Sequence, residues 1–228
     1  MFSYRNQSLP ATYGLIILLV AVFVIETLIG GSTNPQVLLT MGAKTNNLVT
    51  SGQWWRLITP MFLHIGFMHL FMNCFSLYIV GQYLEPILGK IRFIIVFLIS
   101  GVVGNLASYA FGSSYALSAG ASTSIFGLFA SFIALGIMYS SNNYIREMGK
   151  SFLGLIILNL AFDLFAAGID IWGHIGGAIG GFLITFVVGI TGARKTNIYV
   201  RILAVIALVA VSYYMYSKGM GAYGNTGI

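Results

Sequence analysis

The sequence predicts an all-α polytopic membrane protein, and two observations carry that prediction. Of the 228 residues, 58% are hydrophobic and 7% charged, with a mean hydropathy of +0.91, whereas a soluble globular chain carries roughly 25% charged residues. The apolar residues also gather into seven runs, each near the ~20 residues that cross a ~30 Å hydrocarbon layer. Such a chain cannot cover a soluble fold with a hydrated surface, which excludes a disordered chain and a soluble α/β enzyme. The net charge of +6 comes from 11 basic residues scattered singly or in pairs. They form no stripe that would track a phosphate backbone, so nucleic acid is excluded as a partner. The single cysteine, Cys74, permits no internal disulfide.

The runs lie at about 13–31, 63–84, 91–111, 118–139, 151–168, 172–192 and 198–217. Pro10, Pro35, Pro60 and Pro86 fall between runs or at their edges, as expected of a residue that cannot donate to a helix ladder. The first run is longer than a signal-peptide core and is followed by no small-residue cleavage site, so it reads as a retained signal anchor. Counting Lys and Arg sets the orientation, because cytoplasmic loops retain positive charge. With the N-terminus inside, Arg5, Lys90, Arg92, Arg146, Lys150, Arg194, Lys195 and Arg201 are cytoplasmic, and only Lys44, Arg56 and Lys218 lie outside. Loop one, about 32–62, is the only long connection, and Trp54, Trp55 and Arg56 within it read as an interfacial anchor. No repeat interrupts the chain, and one domain over 1–228 suffices. A compact chain without an appended soluble domain points to a bacterial plasma membrane.

Polar groups inside these runs are the informative residues, because each is costly in hydrocarbon without a partner or a water-filled cavity. Three clusters stand out: His64, His69 and Asn73 in the second run; Ser118, Gly120, Ser122, Thr123 and Ser124 opening the fourth; and Trp172, Gly173, His174, Gly176 and Gly177 opening the sixth. All three runs enter from the same side, so the clusters share a depth. His69 and Asn73, four apart, share a helix face, whereas His64 lies about 140° away around a 3.6-residue turn. Gly173, Gly177 and Gly181 repeat every four residues, with Gly176 and Gly180 beside them, and Gly120, Ser124, Gly127 and Ser131 offer a second small face. Such faces let helix backbones approach closely, close enough for a short serine to reach an imidazole.

Serine beside histidine is the minimum for nucleophilic acyl transfer, since the imidazole takes the hydroxyl proton and returns it to the leaving amine. His69, Asn73 and the Ser122 amide would then stabilise an oxyanion, an effect of about 3 to 4 kcal/mol per donor. Asp163, which shares a face with Asn159, could orient His174 as a third member, although a buried inter-helix hydrogen bond is the simpler expectation for it. Asp170 is expected to cap the sixth helix, and Glu26 to snorkel from the first. Met68, Met72 and the many Phe read as lipid-facing or packing residues. The three histidines lack the helical His-Glu-x-x-His pattern, so no metal site is expected.

These residues resemble the rhomboid family of intramembrane serine proteases, over most of the chain. Gly120-Ala121-Ser122 followed by Phe126-Gly127 resembles that family's nucleophile motif, and His174-Ile175-Gly176-Gly177 its His-x-Gly-Gly. His64, His69 and Asn73 match its spaced His, His and Asn, Trp55-Arg56 its first-loop pair, and Gly81 with Glu85 the end of its second helix. Thr123 stands where the family pattern has glycine. The resemblance implies a six-helix core at about 13–192 with a seventh helix appended at about 198–217. It implies a Ser122–His174 dyad without a cofactor, an oxyanion hole of His69, Asn73 and the Ser122 amide, supporting roles for His64, Gly120 and Gly177, and Phe126 against the His174 ring. Its substrates would be transmembrane segments of other proteins in the lipid bilayer. Two rival readings differ in their observables: a catalytically silent rhomboid-like membrane-protein binder would bind without cleaving. A small transporter or channel would spread its polar residues through the full depth of the membrane.

Overall fold

In hydrocarbon every backbone donor must be satisfied within its own segment, so long apolar runs fold as helices. The computed structural model describes residues 8–113, 116–166, 168–190 and 197–224. Among them the α-helices are α1 (Pro10–Leu28), α2 (Pro35–Met41), α3 (Asn46–Thr50), α4 (Phe67–Leu88), α5 (Lys90–Phe111), α6 (Ser122–Met138), α7 (Asn143–Asp163), α8 (Ile171–Val188) and α9 (Ile198–Gly224). Each of the seven apolar runs is one of the long helices. By length and apolarity α1, α5, α8 and α9 are able to cross a membrane, and α6 is a shorter apolar helix. The remaining two, α4 and α7, are long but interrupted by polar residues: His69, Asn73 and Glu85 on one, Arg146, Glu147, Lys150 and Asp163 on the other. Of the charges used to set the orientation, Arg5, Arg194 and Lys195 lie outside the described residues.

Several boundaries differ from the apolar runs, each for a local reason. The second run loses its first residues because Gly66, at φ 82°, turns the chain into α4, so His64 precedes the helix. Gly120, at φ 140°, holds residues 118–121 out of the fourth helix, which therefore opens on Ser122. Left-handed and related conformations of this kind favour glycine. The fifth helix starts at Asn143 because the Asn142 side chain caps it, accepting from the Ile145 amide at 3.2 Å, and it stops at Asp163 rather than 168. Pro86 sits inside the last turn of α4 rather than beyond it.

The bundle is organised around α6 and α8. Residues 123–132 of α6 are all buried, as expected of a helix surrounded by others. Its 17 residues span about 25 Å at 1.5 Å per residue, less than the ~30 Å hydrocarbon layer, so the extended segment before Ser122 dips into the bundle. Helix α8 is wedged between α5 and α6; α7 leans on α6, α1 on α4, and α9 on α5 and α8. The glycine stripes of α8 make this wedge possible. A Cβ at Gly177 would strike the Thr123 carbonyl group and one at Gly181 the Gly127 backbone, both on α6, while Gly176 faces Val103, Gly104 and Ala107 of α5.

Long-range polar ties lock the periphery. Glu85 of α4 accepts from the Ala11 amide at 2.9 Å, the Thr12 amide at 2.8 Å and the Thr12 hydroxyl at 2.6 Å. A carboxylate 73 and 74 residues away thus satisfies two of the orphan donors at the start of α1 and meets its positive dipole end. Gly81, one turn earlier on α4, lets Thr12 lie against the helix. Glu26 does not snorkel: it is fully buried and accepts from the His64 amide at 3.1 Å. Arg56, expected at the membrane interface, is also buried. Its guanidinium donates to the Ala43 carbonyl at 2.6 Å, the Leu39 carbonyl at 2.9 Å and the Gln53 side chain at 2.7 Å. It folds loop one from within, while Trp54 and Trp55 remain exposed.

Removing the Glu85 carboxylate leaves two buried amides without an acceptor. Glu85→Ala is therefore expected to lower stability by about 3 kcal/mol or more, at ~1.5–3 kcal/mol per hydrogen bond to a charged group. Glu85→Gln, with one oxygen left, should fall between; thermal unfolding in detergent checks both.

Candidate active site

The site forms where three helices begin. At the start of α6 the segment 118–121 is pinned to loop one: Lys44 and Ser118 exchange backbone hydrogen bonds of 3.0 and 2.9 Å, and the Gly120 amide donates to the Pro60 carbonyl at 2.8 Å. Ala121, the N-cap of α6, offers no side-chain acceptor, so the first amides of the helix, that of Ser122 included, have no intrahelical partner.

At the start of α8, Asp170 makes the cap expected of it and more. Its Oδ1 accepts from the Gly173 amide at 3.0 Å, and its Oδ2 accepts from the hydroxyls of Ser118, at 2.9 Å, and Ser108. One carboxylate therefore ties α8 to the end of α5 and to the segment that leads into Ser122. With Gly177 set against the Thr123 backbone one turn further on, the two helices are held at backbone contact, and a serine side chain bridges the gap.

His174 Nε2 lies 2.8 Å from Ser122 Oγ, and His174 Nδ1 lies 2.6 Å from Asp163 Oδ2. The imidazole is largely buried, with Phe126 stacked on it at 4.1 Å between centroids and 10° between planes. A pair of this kind contributes about 0.5–1.5 kcal/mol beyond its area, and it fixes the plane of the ring. Asp163 is the last residue of α7, and its contact with His174 ties that helix end to α8. Asn159, on the same face one turn earlier, does not join: it is exposed and donates to the Leu155 carbonyl at 2.8 Å.

His69 and Asn73 converge on the same place from α4. A Cβ at Gly120 would lie 2.7 Å from His69 Nε2 and 3.7 Å from Asn73 Nδ2, two residues before Ser122. Asn73 is buried, and its Nδ2 has no hydrogen-bond partner among the described residues. A buried donor left unused costs about 1–3 kcal/mol, which makes it a candidate for bonding something that comes and goes. The His64 ring lies edge-on to His69 at 5.3 Å, so the two histidines meet even though His64 precedes the helix. The Thr123 methyl group fits the notch left by Gly104 of α5 and Gly173 of α8, and its hydroxyl is buried without a hydrogen-bond partner among the described residues. Met68 and Met72 face outward and are exposed.

Lys44, counted by sequence among the outside charges, is fully buried, with Nζ 2.8 Å from Asn46 Oδ1. Nothing in its sequence context signals this, because the burial comes from segment 116–118 crossing over loop one. Of the two loops flanking the site, 112–117 and 169–172, residues 114 and 115 lie outside the described residues.

A model of the Rhomboid domain matches residues 51–191. The chain is 37% identical over 213 residues to Rhomboid protease GluP of Bacillus subtilis (strain 168), covering 92% of this chain and 41% of that protein. It is 36% identical over 138 residues to Putative rhomboid protease YdcA of the same organism, covering 60% of this chain and 69% of that one. To RHOMBOID-like protein 6, mitochondrial, of Arabidopsis thaliana it is 38% identical over 147 residues, 61% of this chain and 45% of the relative. The chain thus spans less than half the length of the first and third of these relatives.

Burial lowers the pKa of Lys44 to about 8, partly offset by the Asp170 carboxylate. Below that pH the folded and unfolded chains are both protonated and the cost of burying the charge is fully present. From about pH 8 to the ordinary lysine value of 10.5 the unfolded chain binds more protons, so folding stability rises with pH. The melting temperature of the wild type relative to Lys44→Met is therefore expected to increase between pH 7.5 and about 10.

Proposed function

Because the chain belongs to the rhomboid family, we propose that it is an intramembrane serine endopeptidase that cleaves transmembrane segments of other membrane proteins. The observation that carries this reading is the 2.8 Å approach of Ser122 Oγ to His174 Nε2 beside the unused Asn73 amide. Ser122 Oγ attacks the scissile carbonyl carbon while its proton passes to His174 Nε2; the Oγ–C bond forms and the carbonyl oxygen takes the negative charge. The Ser122 amide, Asn73 Nδ2 and His69 Nε2 donate to that oxyanion. On collapse the C–N bond breaks and the His174 proton leaves with the amine. Water then attacks the acyl group, gives a proton to Nε2, and frees the acid as the serine is reprotonated.

The polar groups gather where α4, α6 and α8 begin, which supports a cavity fed with water from one side of the membrane. With the N-terminus cytoplasmic, that side is the outer one, and the compact bundle suits a bacterial plasma membrane. A helical substrate must expose its backbone before it is cut, so small residues and helix-weakening Gly or Pro near the scissile bond are the expected signature. The whole of 1–228 serves as one membrane unit in this reading.

The orientation of Thr123 favours an active enzyme over a silent binder, since its methyl group fills an inter-helix notch instead of the pocket.

A rhodamine-linked fluorophosphonate should label the detergent-solubilised wild type and neither Ser122→Ala, at an unchanged melting temperature, nor His174→Ala, whose melting temperature should fall because it loses the Phe126 stack and leaves Asp163 unpaired. Cleavage of a transmembrane substrate that persisted in Ser122→Ala would overturn the mechanism. Thr123→Gly should leave labelling within several-fold of wild type while destabilising the fold by about 1–2 kcal/mol, from the emptied notch and the added glycine.

A further inference from the structure

We propose that Asp163 is the third member of the catalytic constellation, a positioning residue that sets the tautomer and orientation of His174. The proposal rests on the serine protease reading and adds a requirement to it, since the family resemblance implies only Ser122 and His174. The geometry is specific. Asp163 Oδ2 lies 2.6 Å from His174 Nδ1, on the side of the ring opposite Ser122, whose Oγ lies 2.8 Å from Nε2. A carboxylate can only accept, so in the neutral imidazole Nδ1 carries the proton and Nε2 presents its lone pair to the serine hydroxyl. Without that acceptor Nδ1 loses the partner that holds its proton, and the ring keeps only the Phe126 stack and the Ser122 contact to orient it.

Asp163 has no competing task. Its side chain is 5% exposed, it makes no second side-chain hydrogen bond among the described residues, and no Lys or Arg lies within ion-pair distance there. Among the described residues the nearby titratable groups on the packed elements are Asp170, one turn before His174 at the start of α8, and His69 on α4. The Asp170 oxygens are already engaged by Gly173, Ser108 and Ser118, and His69 faces Gly120. Phe126 closes one face of the imidazole and makes no hydrogen bond to it. When Ser122 attacks, its proton moves to Nε2, and the imidazolium then donates from Nδ1 to a carboxylate that stays ionised. The Asp163 charge thereby stabilises the positive charge that develops on the ring, and no proton is transferred to Asp163. Placing this group at the end of α7 also makes the serine's activation depend on a helix that leans on α6 and touches α8 only slightly.

The test follows the rate of fluorophosphonate labelling against pH for wild type, Asp163→Asn, Asp163→Ala and Asp163→Glu in the full chain, each compared at a temperature below its own thermal transition. In this reaction the Oγ–P bond forms as fluoride leaves, and His174 takes the serine proton as it does in hydrolysis. The proposal expects the maximal labelling rate to fall by about 100-fold or more in Asp163→Asn, with the half-saturating probe concentration little changed. It also expects the acid limb of the profile to move to lower pH in the Asn and Ala variants, and Asp163→Glu to recover rate and profile in part. A residue that only holds α7 to α8 would change the melting temperature and leave the acid limb where it is. Labelling by Asp163→Asn within about threefold of wild type, with an unmoved acid limb, overturns the proposal while the Ser122–His174 reading stands; if Asp163→Asn does not fold, the same two readings of Asp163→Ala decide. Absence of Ser122-dependent labelling in the folded wild type overturns both.

Discussion

The contact on which the rest of the structure depends is the backbone-to-backbone approach of α8 to α5 and α6. In lipid there is no hydrophobic drive to push helices together, so association relies on van der Waals contact and polar ties, and small residues set how close two helices come. Gly177 and Gly181 remove the side chains that would separate α8 from α6, and Gly176 does the same towards α5. The distance between Ser122 and His174 is a consequence of that approach. With a Cβ at Gly177 the Thr123 backbone would have to move, and Ser122 with it.

Around this wedge, charged and polar side chains act as clamps at helix ends, where the backbone has unsatisfied groups to offer. Glu85 caps α1 from α4, Glu26 takes the His64 amide ahead of α4, Asp170 caps α8 while holding two hydroxyls, and Arg56 gathers the carbonyls of loop one. Each is buried or nearly so, and each is bonded to backbone. This pattern follows from what a membrane costs an ionised group: it persists where several donors or acceptors converge on it. The same economy explains why the unused amide of Asn73 stands out. Among the described residues its Nδ2 has no hydrogen-bond partner, and neither have the ring nitrogens of His64 or the Thr123 hydroxyl, so unsatisfied polar atoms collect at the start of α4 and α6 while the carboxylates around them are engaged.

Much of this was legible in the residue order. Composition and run length were enough for seven long helices in a membrane protein, because a helix is the one way a single segment satisfies its backbone in hydrocarbon. The common depth of His69, Asn73, Ser122 and His174 followed from the direction of the helices and the position of each residue along its run, and their spacing carried the rhomboid resemblance. Helix boundaries were less legible. Positive φ at Gly66 and Gly120 shortened two helices, and a cap at Asn142 lengthened another beyond its apolar run. Hydropathy sees the membrane and not the cap.

Charge gave the least reliable guide to position. Glu26, Lys44 and Arg56 read from sequence as residues seeking water or headgroups, and all three are buried, because folding brings each a partner: Glu26 the His64 amide, Arg56 the carbonyls of Leu39 and Ala43, and Lys44 the Asn46 side chain beneath the backbone pairing with Ser118. The sequence by itself determined the class of fold, the number of long helices and the residue types that meet at one depth, since these depend on local composition and periodicity. Tertiary structure alone decided which faces of those helices touch, that the Asp163 carboxylate reaches His174 while Asn159 turns outward, and that the Thr123 methyl group fills an inter-helix notch. These outcomes depend on the rotation of each helix about its axis, which is set by the side chains of its neighbours.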